Sequence, residues 1–281
     1  MPVETIIDDG EILADSGFFW REAGGVKALV SQQLEAAGFQ NAFSTRGGGV
    51  SDFPADSLNL AGFSEDSREN IYENRRRFLQ LFPPGMRIAA VYQYHGSTVK
   101  CIADEDDITD SDDRADAMVS NLDGVLLGVK TADCVPVLIA DPTTGGFAAA
   151  HAGWRGTVAS IVVKAVEMMR EKFGADPARM IAAIGPAATV RQYEIGEDVL
   201  NAFAENFEGS EKYFVPTRPG HARVDLHAAN RDQLLSCGLD AANISTAPFC
   251  TMERTDLFFS YRREKQTNGK TGRLLSVIGK I

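Results

Sequence analysis

The sequence predicts one α+β domain spanning residues 1–281, with a mixed β-sheet core and flanking helices. Three observations predict it. Short apolar runs bounded by Gly, Pro, Asn and Asp recur along the chain and outnumber the segments with helical spacing. Strands and helices do not alternate in the regular β-α-β-α order of a doubly wound fold. No fixed-period repeat and no linker rich in Pro, Gly or Ser divides the 281 residues, which are ample for one large core.

Residues 1–20 read as an edge segment. Gly25–Ala37 has helical spacing, with Val26, Leu29, Val30, Leu34 and Ala37 on one face and Gly38 as its stop. Asn41–Thr45 reads as a short strand running into Arg46-Gly47-Gly48-Gly49-Val50-Ser51. The glycines alone favour a plain turn over a row of backbone N–H groups lining an anion site, and the adjacent Arg46 brings the two readings level. Asp66 or Ser67 caps a helix from Arg68 to Leu81, stopped by Pro83-Pro84, with Arg75-Arg76-Arg77 facing solvent. Strands follow at Ile88–Gln93 and Val99–Ile102. Residues 104–116 hold seven Asp, one Glu and one Arg and read as a solvated acidic loop without the spacing of a calcium-binding EF-hand.

Strands come next at Ala117–Ser120, Val125–Val129, Val135–Ala140 and Gly146–Ala150. Thr157–Phe173 reads as a helix with Ile161, Val162, Ala165, Met168, Met169 and Phe173 toward the core, its methionines as packing. Ile181–Ile184 is a buried strand, Glu197–Phe207 and Leu226–Cys237 are helices, and Ile244–Ala247 and Leu274–Ile278 are strands.

The chain is organised around residues 131–155. Two apolar runs flank Asp141-Pro142-Thr143-Thr144-Gly145, a hairpin pattern with Cys134 at the entry of the first strand and His151 at the exit of the second. Sulfur and imidazole side by side are what a zinc or copper ion prefers. His95 stands upstream at another strand end, and the chain has only 4 histidines. Taken singly, a Cys at a strand end is most often a small buried hydrophobe and a lone His a satisfied core residue. Set at the two ends of one hairpin, with a scarce histidine upstream, the three are candidates for a metal or catalytic role.

Net charge is −11, from 28 basic and 39 acidic residues, which argues against a partner held by its phosphate backbone such as DNA or RNA. A small anionic substrate needs only a few converging arginines. No run approaches the 18 or more apolar residues of a membrane helix, and the acidic N-terminus is not a signal peptide. Four scattered cysteines without CxxC spacing fit a reducing compartment, so the sequence reads as cytoplasmic.

QYHGSTV (93–99), ADAMVSN (115–121), TADCVPVLIAD (131–141), AAAHAGWRGT (148–157), IGP (184–186), YEIGEDV (193–199), FFSYRRE (258–264) and TGR (271–273) occur in the order of the YfiH-like family, which the chain resembles over roughly 43–278. This family is also called the laccase-domain or multicopper polyphenol oxidoreductase family and includes the bacterial peptidoglycan editing factor. The resemblance implies the α+β fold shared with the cytotoxic necrotising factor catalytic domain. It implies zinc held by His95, Cys134 and His151, with copper as the older alternative. It also implies phosphorolysis of purine nucleosides, including methylthioadenosine, with adenosine deamination. Two departures stand out: Ala187 replaces a cysteine often found after IGP, and EKQTNGK lengthens the loop between SYRR and TGR.

Two imidazoles and one thiolate leave a fourth position open, as in a catalytic zinc site. The deaminase signature HxE…PCxxC is absent, so deamination here is convergent. Phosphorolysis needs cations, and Arg46, Arg155, Arg262 and Arg263 are the candidate phosphate holders because guanidinium matches phosphate oxygens in pairs. Asp133 is either a partner orienting an imidazole or a turn cap, and Arg155 either binds anion or packs on Trp154. Asp225 and Ser260 carry weaker signals. The expected partners are a purine nucleoside and phosphate, with no nucleic acid or membrane, in a monomer or homodimer. A cysteine amidase with Cys134 as nucleophile and His151 or His95 as base uses the same residues. Copper-based phenol oxidation needs more histidines than 4. A non-enzymatic binding protein fits the three clustered ligands and arginines less well.

Overall fold

The computed structural model describes residues 9–62 and 65–281. In chain order these form α1 (Asp9–Ser16), β1 (Phe18–Ala23), β2 (Val26–Ser31), α2 (Gln32–Ala36), β3 (Gln40–Ser44), α3 (Arg68–Phe78), β4 (Arg87–Tyr92), β5 (Val99–Ile102), β6 (Asp110–Arg114), β7 (Ala117–Ser120) and β8 (Val125–Thr131). The second half runs β9 (Val135–Asp141), β10 (Gly146–Ala152), α4 (Trp154–Val158), α5 (Ile161–Phe173), β11 (Ile181–Ile184), β12 (Glu194–Ile195), α6 (Glu197–Asn206), β13 (Phe214–Arg218), β14 (His221–Val224), α7 (Leu226–Ser236), β15 (Ile244–Thr246), α8 (Tyr261–Asn268) and β16 (Leu274–Gly279).

The strands build a seven-stranded sheet in the order β1-β2-β3-β16-β8-β4-β6, a six-stranded sheet in the order β15-β11-β9-β10-β7-β5, and a small sheet β12-β14-β13. Side-chain alternation along each strand sorts residues into layers. On β9 and β10, Leu138, Ala140, Phe147 and Ala149 join a core with Phe43, Leu127, Val129 and Ile278 of the larger sheet. Their neighbours Val135, Val137, Ile139, Ala148 and Ala150 face the other way, onto Val162, Ala165 and Met169 of α5. The far side of the larger sheet is closed by Phe78 of α3 together with Leu81 and Phe82, against Leu126, Leu275 and Val277. The result is a mixed α+β fold in which two sheets are sandwiched between helices.

Most strands and helices fall where the sequence puts them. The helix expected over Gly25–Ala37 is instead β2 followed by the short α2. β2 is buried on both faces, so its apolar residues run almost unbroken, and a helical period fits such a run by accident. Gly24 and Gly25, both at positive φ, form the tight turn from β1 that lets the two strands pair. The single helix expected over Thr157–Phe173 breaks at Ser160, whose φ of 58° lies outside the helical region. Part of the acidic stretch 104–116 forms β6 on the sheet edge, where charged side chains guard an otherwise open strand. The insertion between SYRR and TGR is largely helical, within α8. Of the expected edge segment, residues 1–8 lie outside the described residues, Asp9–Ser16 form the helix α1, and only Phe18–Trp20 enter the edge strand β1.

Phe147 is fully buried between the sheets, its ring set edge-on to Phe39 at 6.1 Å. Phe147→Ala is expected to destabilise the fold by about 3–5 kcal/mol in urea unfolding, the range for a buried aromatic truncated to alanine. A loss under about 1 kcal/mol contradicts the layer assignment.

Candidate metal centre

β9 and β10 pair antiparallel with His151 opposite Pro136 and Ala152 opposite Val135. One step further, Cys134 stands opposite Gly153, on the same sheet face as His151 and diagonal to it. The glycine is needed there: a Cβ on residue 153 would lie 3.0 Å from Cys134 Sγ and 3.2 Å from His95 Cδ2. On the other side of β10, β7 pairs with Ala150 opposite Ala117, so Asp116 falls beside His151. The His151 N–H donates to the Asp116 carbonyl at 2.7 Å, extending the ladder by one residue.

The Asp116 carboxylate ties the two histidines together. Its Oδ1 lies 2.9 Å from His151 Nδ1 and accepts the His95 N–H at 2.9 Å. Its Oδ2 accepts the Gly96 N–H at 2.7 Å. These bonds hold the turn after β4 in a conformation where His95 has a φ of 63°, a region few non-glycine residues adopt. The His95 and His151 rings stand edge to face with centroids 4.9 Å apart. The ligand atoms of His95, Cys134 and His151 all lie within 4.8 Å of one another, the one such His/Cys/carboxylate group among the described residues. His95 is exposed, Cys134 half-buried and His151 buried, so the cluster opens on one side.

Electrostatics favour charge on this cluster. Burial would push the Cys134 thiol up, but His151 beside it and hydrogen bonds from both histidines outweigh burial and bring the thiol down to about 6. Burial likewise opposes charge on His151, yet Cys134 and Asp116 raise it to about 9. Asp116 is also costly to bury, and its bonds to His151, Gly96 and His95 hold it below the ordinary carboxylate value. The donor set fits a metal ion: a sulfur near its thiolate form, one imidazole fixed by a carboxylate as zinc-ligating histidines are, and a second at the open side.

The cluster lies in a cavity of about 520 Å³. Its other walls carry Tyr92 and Tyr261, both largely exposed, with Lys130, Arg273 and Glu65. The four arginines expected to hold phosphate do not line it. Arg46 is engaged by Glu264 at 2.7 Å, the Thr255 carbonyl at 2.8 Å and Asp56, with its guanidinium over Phe259. Arg155 lies on Trp154 at 4.2 Å. Arg262 donates to the Glu194 carbonyl, and Arg263 to the Met252 carbonyl and Gln192. The glycine loop is a structural turn: the N–H groups of Gly49, Val50 and Ser51 go to Ser57 and Asn74, and Arg77 donates to the carbonyls of Gly48 and Gly49 rather than facing solvent.

Asp133 orients no imidazole. Its carboxylate accepts the Thr251 hydroxyl and the Arg262 N–H, both at 2.7 Å, and burial pushes its pKa up. Ser260 caps α8 and Asp225 caps α7. Sequence reasoning missed Asp116 as a site residue. Its signal was the register of β7 on β10, which places it beside His151.

The family described as multi-copper polyphenol oxidoreductase laccase matches residues 40–280. A purine nucleoside phosphorylase of Deinococcus radiodurans is 40% identical over 240 residues, covering 85% of this chain and 88% of that one. The Escherichia coli protein named purine nucleoside phosphorylase YfiH is 34% identical, over 90% and 98% of the two chains. Among solved structures, YlmD of Geobacillus stearothermophilus superposes with a TM-score of 0.85 at 32% identity, over 94% and 98% of the two chains. The chain therefore belongs to the laccase-like YfiH family of multi-copper polyphenol oxidoreductases.

Proposed function

We propose that the protein is a zinc-dependent purine nucleoside phosphorylase acting on adenosine, inosine and methylthioadenosine, with adenosine deaminase side activity, in the cytoplasm. The observation that carries this reading is the convergence of His95, Cys134 and His151 in the lining of a cavity that also presents cations and aromatic rings. The names of the relatives support the substrate class. No helix among the described residues is long and apolar enough to cross a membrane.

His95, Cys134 and His151 would hold the ion. Bound there, zinc supplies a Lewis acid and lowers the pKa of coordinated water to about 7. Asp116 keeps the proton on His151 Nδ1 and so leaves Nε2 for the cluster. In phosphorolysis a phosphate oxygen forms a bond to C1′ as the C1′–N9 bond breaks. The bonding pair leaves on the base, which takes up a proton from solvent. The exposed ring of Tyr92 gives a planar base a surface to stack on. Of the residues first expected to act, the three metal ligands carry over into this reading. The four arginines do not, because none of them lines the cavity.

One observation favours a second reading. Cys134, His151 and Asp116 stand in the order nucleophile, base and orienting carboxylate, as a cysteine amidase editing peptidoglycan precursors would need. Copper polyphenol oxidation finds less support, because the two remaining histidines stand apart from the cluster. His227 bonds the Gly185 carbonyl and His221 bonds the Pro219 carbonyl.

Elemental analysis of protein purified without added metal is expected to find zinc, and the same preparation to release base from inosine only with phosphate present. Cys134→Ala should lose both metal and activity while keeping its far-UV circular dichroism. Phosphate-independent amide hydrolysis by metal-free protein would shift the assignment to the amidase. Asp116→Asn keeps the volume but weakens the hold on His151 Nδ1, and is expected to lower metal affinity or activity about 10–100-fold. An unchanged affinity would remove Asp116 from the site. In chelator-treated protein at pH 7, iodoacetamide should label Cys134 ahead of Cys101 and Cys237, whose thiols burial pushes up. Adding zinc back should protect Cys134, and labelling at equal rates contradicts the thiolate argument.

A further inference from the structure

Lys130 and Arg273 reach the cavity from adjacent strands. β8 and β16 pair antiparallel with Leu275 opposite Lys130 and Leu274 opposite Thr131. Continuing that register puts Arg273 opposite Ala132, so Arg273 and Lys130 are diagonal neighbours on one sheet face. Diagonal positions lie about 7–8 Å apart, within reach of two long side chains. Both backbones are held by buried or half-buried amides. The Gln93 side chain accepts the Lys130 N–H at 2.7 Å and donates to its carbonyl at 2.8 Å. Gln93 lies two residues before His95, so one amide ties this cation to the metal-ligand turn. Asn59, which is buried, accepts the Arg273 N–H at 2.8 Å, and the Leu60 N–H donates to the Arg273 carbonyl at 2.9 Å.

The Arg273 side chain is 25% exposed. It bonds Glu65 Oε1 at 2.9 Å and the Gly272 carbonyl at 3.2 Å and stands over the Tyr261 ring at 5.7 Å, which leaves N–H donors uncommitted among the described residues on a side chain that lines the cavity. Glu65 is more exposed, at 39%, and its carboxylate occupies an edge of the guanidinium that an anion would use. The molecule carries a net charge of −11, so an anionic co-substrate must be drawn by local cations.

We propose that Lys130 and Arg273 form the phosphate subsite of this cavity, with Glu65 as the carboxylate that phosphate displaces from Arg273. The assignment rests on the phosphorylase reading for the identity of the anion. Arg273 supplies paired N–H donors matched to phosphate oxygens, and Lys130 adds a point charge.

Equilibrium dialysis with radiolabelled inorganic phosphate tests the subsite without turnover. Arg273→Gln is expected to weaken phosphate binding at least about tenfold and Lys130→Gln several-fold, as loss of charge-assisted hydrogen bonds implies. Arg273→Lys should restore part of the loss and serves as the second variant if Arg273→Gln does not fold. Glu65→Gln should tighten binding, a gain that structural damage does not produce. In steady-state assays the same cation variants should raise KM for phosphate and leave KM for inosine nearly unchanged. Wild-type protein that binds no phosphate, or Arg273 and Lys130 variants that bind it as wild type does, overturns the subsite. Phosphate binding that follows this pattern without any base release overturns the phosphorylase reading and leaves the anion site standing.

Discussion

The Asp116 carboxylate, at 0% exposure, is the joint on which the site depends. Taking a carboxylate out of water costs several kcal/mol unless donors surround it. Asp116 has them: the ring of His151 and the backbone N–H groups of His95 and Gly96. The same contacts that make its burial tolerable therefore fix both histidines. One lies at the end of β10 and the other on the turn after β4, elements from different sheets. Cys134 needs no such joint, because the β9–β10 register already puts it diagonal to His151.

That difference explains which site residues are legible in the sequence. The pair Cys134 and His151 is local: an Asp-Pro-Thr-Thr-Gly turn between two apolar runs sets a hairpin register, and a two-residue period sets the face. His95 is marked by its rarity and its QxHG context. Asp116 hides as the last of seven aspartates in the stretch 104–116, and only the pairing of β7 with β10 separates it from the rest. Membership in a motif likewise says nothing about whom an arginine meets. Arg46 is held by Glu264, more than 200 positions away, and no spacing rule links the two. Lys130 and Arg273 likewise depend on a long-range strand pairing, β8 with β16.

At the level of fold, the strands that pack on one another were largely legible and the small β12-β14-β13 sheet was not. Its strands are two to five residues long, and the residues of β13 are mostly exposed, so they carry little apolar period. β2 failed for the opposite reason, being buried on both faces and therefore without alternation.

The central claim is that His95, Cys134 and His151 share one zinc ion. X-ray absorption at the zinc edge, on protein purified without added metal, tests it most directly. The account predicts one sulfur at about 2.3 Å and two imidazole nitrogens at about 2.0–2.1 Å. A first shell without sulfur, or an edge signal that survives in Cys134→Ala with the same shell, would contradict it.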